Sequence, residues 1–118
     1  MRRFWLFVAL ALFAPVGTAH AATLVTPRIT SAAGDSAFCS IVNAGSRSIT
    51  ATVDMLSFDG SIIGSAVIAL DAGESSSITA GGFRTFHCRF SGSFSKTSVR
   101  CAASISSGGH SIVAVPAQ

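Results

Sequence analysis

Charged residues are scarce: Asp, Glu, Lys and Arg make up 11% of the 118 residues, against 49% that are apolar. With a mean hydropathy of +0.60, that balance is the opposite of the one that keeps a chain disordered. Helix formers such as Glu, Lys and Gln are also rare, and Ser, Thr and 11 Gly stand in their place, so strands and turns are favoured over helices. No C-x-x-C or H-x-x-x-H spacing exists, which removes the usual zinc patterns, and no G-x-S-x-G elbow marks a nucleophile. An unbroken apolar run, Phe4 to Phe13, falls short of the ~20 residues that span a membrane as a helix.

That run instead fits the middle of a secretory leader. Arg2 and Arg3 precede it, Pro15 and Gly17 break it, and Ala19-His20-Ala21 offers the small-x-small pattern a signal peptidase cleaves. Residues 1–21 are therefore expected to be a cleaved signal peptide and residues 22–118 one domain, with export to the periplasm or medium. No Cys stands near the cleavage site to carry a lipid anchor, and no further segment in the mature chain is long and apolar enough to cross a membrane. Loss of Arg2 and Arg3 leaves six Lys plus Arg against five acids, a net charge of +1 that gives no footing to a nucleic-acid partner.

From Thr23 onward, short β-like runs alternate with turn residues about every ten positions, the pattern of an all-β sandwich or barrel. Leu24 to Thr30, interrupted by Pro27, suits an edge strand because Pro cannot donate to a ladder. Ser36 to Val42 places Ala37, Cys39 and Ile41 on one face. Ser48 to Leu56 alternates most cleanly, with Ile49, Ala51, Val53 and Met55 against Ser48, Thr50, Thr52 and Asp54, as a strand with one solvated side does. Asp59-Gly60 predicts a type I′ hairpin turn, which needs positive φ at both central residues. Ile62 to Leu70 follows, with a bulge expected near Gly64. Ser75 to Thr79 is a weak strand. Residues 83–104 read as one long hairpin with Phe86, Cys88 and Phe90 on one face and Val99, Cys101, Ala103 and Ile105 on the returning one. Ser111 to Val115 is the last strand. Seven or eight strands in two antiparallel sheets, with immunoglobulin-like connectivity, are the expected fold; a small barrel is the alternative.

The segments Cys39-Ser40-Ile41-Val42-Asn43, Ile49-Thr50-Ala51-Thr52-Val53, Leu70-Asp71-Ala72-Gly73-Glu74-Ser75, Phe86-His87-Cys88-Arg89-Phe90 and Lys96-Thr97-Ser98-Val99-Arg100 resemble those of small uncharacterised exported β-sandwich proteins of proteobacteria. In that layout one cysteine follows the first turn and another sits late, before a K-x-x-V-R strand. The resemblance implies a fold and a compartment but no activity. Cys101 departs from the two-cysteine layout.

Three cysteines in an exported chain imply one disulfide and one thiol left over. Cys39 with Cys88 would join two strands as the cross-sheet bridge of immunoglobulin domains does. Cys88 with Cys101 would staple the hairpin, but a tight loop there sets Cys88 opposite Val99, one pair out of register, and on that ground Cys39–Cys88 is preferred. Cys101 is then either a small buried hydrophobe or the anchor of a covalent dimer.

His87 and Cys88 are adjacent on a strand and point to opposite faces, so they do not converge on one metal ion. His87 and His110 have no acid near them in sequence, and neither catalysis nor a cofactor is expected. A charge asymmetry remains. All five acids fall between residues 35 and 74, whereas Arg84, Arg89, Lys96 and Arg100 cluster in the hairpin. His87, Arg89 and Arg100 should share its outer side as a basic patch, suited to an envelope protein or to an anionic polysaccharide or lipid head group. A non-catalytic structural or interaction module of the envelope, as monomer or weak dimer, is the expected function; the alternatives are an accessory or inhibitor domain of an exported enzyme and, third, an enzyme.

Overall fold

A computed structural model describes residues 21–82, 84–108 and 110–118; the leader expected at the N-terminus lies outside them, except for Ala21. Among the described residues, nine strands form two antiparallel sheets packed face to face. They are β1 (Ala22–Val25), β2 (Ile29–Ser31), β3 (Ser36–Asn43), β4 (Ile49–Ser57), β5 (Ile62–Leu70), β6 (Ser75–Gly81), β7 (Arg84–Gly92), β8 (Val99–Ser107) and β9 (His110–Pro116), with one 3₁₀ turn at Lys96–Ser98. The first sheet runs β1-β7-β4-β5 with β2 also on β7, and the second runs β6-β3-β8-β9. The hairpins are β4–β5 and β8–β9; the links β2–β3, β3–β4, β5–β6, β6–β7 and β7–β8 all cross between sheets. This is a β-sandwich, as expected. The strand count rises to nine because Pro27 divides the first strand: β1 and β2 both pair with β7 on either side of the break. Thr26 holds the gap, its N–H donating to Cys88 O at 3.0 Å while its Oγ1 accepts from Cys88 N at 2.9 Å.

Period-two alternation builds the core. Ala37, Cys39 and Ile41 of β3, Ala51, Val53 and Met55 of β4, Phe86, Cys88 and Phe90 of β7, and Val99, Cys101, Ala103 and Ile105 of β8 form one buried cluster. Burial of Phe86 and Phe90 alone contributes on the order of 2–3 kcal/mol each. The bulge expected near Gly64 is present, as a register shift where Met55 faces Gly64 and Leu56 faces Ile62. The Asp59-Gly60 turn is not type I′. Only Gly60 takes a positive φ, of 89°, while the Asp59 carboxylate caps the loop by accepting from Ser61 N at 3.0 Å.

The hairpin expected over residues 83–104 does not form. β7 lies in the first sheet and β8 in the second, so these strands face each other across the core instead of pairing. The connection between them turns inward at Phe94, which is 4% exposed and part of the core. Gly92 allows that turn because a Cβ there would collide with Thr50 O and lie 3.1 Å from Phe94 Cε2. Asn43, fully buried, ties the same end of the sandwich: its Nδ2 donates to Arg47 O at 2.7 Å and Leu70 O at 3.1 Å, and its Oδ1 accepts from Gly45 N at 3.0 Å.

Candidate functional site

Cys39 and Cys88 form a disulfide between β3 and β7, 49 residues apart, linking the central strands of opposite sheets. The preferred pairing is therefore present, but the register argument for it is not the reason. Cys88 faces Met55 and Cys101 faces Ile41, each within its own sheet. Cys101 is a buried free thiol two residues along β8 from Ala103, which faces Cys39, and burial pushes its pKa up to about 12.

The expected basic patch divides in the same way. His87 and Arg89 lie on the outer face of the first sheet, while Arg100, on β8, lies on the outer face of the second, next to the exposed Val42. Arg100 Nη1 donates to Thr97 O and Val99 O, both at 3.0 Å, and so covers the end of its own strand. The patch fails as one surface because its two arms belong to different sheets.

Arg89 also has a partner that sequence distance concealed. Register places Asp54 of β4 opposite it, and Arg89 Nε and Nη2 donate to Asp54 Oδ2 at 3.2 and 2.9 Å. Ser65 of β5 donates its Oγ to Asp54 Oδ1 at 2.6 Å. Asp54 is on the polar face that alternation assigned to it, yet it is buried under these partners, with 7% of its side chain exposed against 42% for Arg89. The signal was available: Asp54 is the one acid in the middle of a strand.

Sequence reasoning also overlooked Arg28. The break at Pro27 carries it along β7, where it is exposed and close enough to act on His87. His87 sits opposite Leu56, half-buried, and its Nδ1 is buried with no hydrogen-bond partner. Its pKa is lowered first by that burial and then by the positive charges of Arg28 and Arg89. The site is thus a group of three nitrogen-bearing side chains, Arg28, His87 and Arg89, in which the imidazole's pKa is lowered, its buried Nδ1 has no partner and Arg89 is paired with Asp54. Exposed Phe58 and Ile62 mark the nearby tip of the β4–β5 hairpin.

A shallow groove of about 500 Å³ lies elsewhere, lined by Ala21, Ala22, Thr23, Phe94, Ser95 and Lys96. Lys96 is its one titratable side chain among these. No group of three His, Cys, Asp or Glu side chains suited to a metal ion occurs among the described residues. No helix among them is long and apolar enough to cross a membrane.

Fold and site together define a disulfide-bridged β-sandwich with a small cationic strip on one outer face. No protein-family model matches the chain, and no curated protein matches it. Among solved structures, the crystal structure of Thermotoga maritima 1070 is similar, with a TM-score of 0.55 over 81% of this chain and 91% of that one. At 11% identity the likeness is one of fold.

Proposed function

We propose that the protein is an exported, non-catalytic interaction module of the bacterial cell envelope, in the manner of the small exported sandwich proteins it resembles. It would bind an anionic group, carried by envelope polysaccharide or lipid, on the outer face of the first sheet. The leader-like residues Arg2 to Ala21 and the Cys39–Cys88 bridge support export, since disulfides persist in oxidising compartments.

The observation that carries the binding reading is the convergence of two positive charges, exposed Arg28 and the Asp54-paired Arg89, on His87. An anion placed beside Arg28 would offset the repulsion that Arg28 and Arg89 exert on a protonated His87. Arg100 has no part in this strip.

Binding of the purified protein to anionic polysaccharide and to anionic vesicles, compared for wild type, R28S and R100S, tests the reading. R28S should weaken binding about fivefold, equivalent to roughly 1 kcal/mol, while R100S leaves it unchanged. Equal loss in both variants would reduce the effect to net charge, and no loss in R28S would remove the site.

A further inference from the structure

The sandwich has two open flanks, and they are protected unequally. On one, the β1–β2 edge is broken by Pro27, and the C-terminal tail pairs with it at Val25: Val25 N donates to Gln118 O and Gln118 N to Val25 O, both at 3.2 Å. On the other flank lie β5, the edge of the first sheet, and β6, the edge of the second. Residues exposed along β6, such as Ser75, Ser77 and Thr79, bring their own hydroxyls to water.

β5 lacks the charges and prolines that blunt an edge. Its nine residues, Ile-Ile-Gly-Ser-Ala-Val-Ile-Ala-Leu, include no charge and no proline, and its bulge falls only at the first turn of the strand. Every second residue turns its N–H and C=O away from β4, and among the described residues no strand lies beyond it. Val67, mid-strand, is 72% exposed, and Ile62 at its start is 57% exposed. An apolar, uncharged edge about 30 Å long requires an extended strand that brings no charge to the seam.

We propose that a second copy of this chain supplies that strand: two β5 edges pair antiparallel about a two-fold axis at Val67, joining the two first sheets into one continuous sheet. In this register Val67 faces Val67, Ser65 faces Ala69, Ala66 faces Ile68 and Gly64 faces Leu70, so larger side chains meet small ones on the inner face. No like charges oppose each other, because β5 has none. The contact is isologous and closes at a dimer, since each copy uses the same β5 edge and the edge opposite is broken at Pro27. This surface is separate from the strip at Arg28 and His87, and the dimer stands whether or not that strip binds an anion.

Sedimentation of the purified protein from micromolar to millimolar concentration should give a concentration-dependent dimer. V67K, which sets two ammonium groups against each other at the axis, should lower the association constant at least about tenfold. Its thermal midpoint as a monomer should stay that of wild type, because Val67 is largely exposed in the single chain. In a C101A background, V67C should form a 67–67 disulfide under mild oxidation, because opposed residues of an antiparallel pair lie within bridging distance. A wild type that stays monomeric throughout overturns the proposal. So does a dimer that V67K leaves intact, or one that V67C fails to cross-link.

Discussion

Replacing Arg89 with Ala should destabilise the fold more than replacing Asp54 with Asn, although Arg89 is the more exposed of the two. Asp54 has 7% of its side chain in contact with solvent and accepts three hydrogen bonds, two from Arg89 and one from Ser65. R89A removes two of the three and leaves a buried carboxylate facing one neutral hydroxyl. Breaking a buried pair costs about 3–5 kcal/mol. With 42% of Arg89 already solvated, part of that is screened, and about 2–3 kcal/mol remains. D54N removes the buried charge itself, lets Arg89 turn to water and leaves a neutral amide to pair with Ser65, so its cost is that of an ordinary hydrogen bond, about 1 kcal/mol. For a domain of this size the first corresponds to a fall in Tm of about 10–20 °C and the second to about 5 °C. Thermal and urea unfolding of R89A, D54N and the double variant would measure both costs and their coupling. A D54N loss equal to or greater than that of R89A, or losses below about 0.5 kcal/mol in both, would refute the reasoning that a stranded buried charge dominates.

Further outcomes follow from the same structure. C39A/C88A should lower unfolding free energy by about 4 kcal/mol, the loop entropy of a 49-residue separation, as read by urea denaturation; a loss under about 1 kcal/mol would contradict it. Hydrogen bonds from Ser57 and Ser61 lower the pKa of Asp59 from 3.8 to about 2. Ionised Asp59 therefore favours the folded state above pH 3.8, an advantage lost as pH falls through about 2, so D59N should flatten the stability profile between those values; parallel profiles for D59N and wild type would contradict this. Cys101, with its thiol pKa near 12, should resist alkylation at pH 8 in the native protein and react fully once unfolded without reductant; mass spectrometry showing native labelling would refute its burial.

Local patterns were legible in the sequence where one residue pair decided them. The alternation of Ile49, Ala51, Val53 and Met55 located β4 and its buried face, Pro27 located the broken edge, and Gly64 located the bulge. What pairs with what was less legible. Strands β7 and β8 alternate on either side of a Gly/Ser-rich link, a pattern common to a hairpin and to a crossover between sheets. Phe94, a large apolar residue in the middle of the supposed turn, was the clue that the link enters the core. The charge asymmetry along the chain failed for a related reason. Asp54 and Arg89 are 35 residues apart but directly opposed across the first sheet, while Arg89 and Arg100 are near in sequence and on different sheets. Arg28 escaped notice because its nearness to His87 depends on the break at Pro27 bringing two distant segments side by side.

The binding reading rests on the imidazole of His87, and its titration by NMR measures that group directly. In the free protein its midpoint should lie below 6.5, and R28S should move it upward by removing one repelling charge. Addition of inorganic phosphate, or of anionic polysaccharide, should raise the wild-type midpoint as the anion offsets the charges of Arg28 and Arg89. A midpoint that does not move while either anion is bound would contradict the assignment of this face as the binding site.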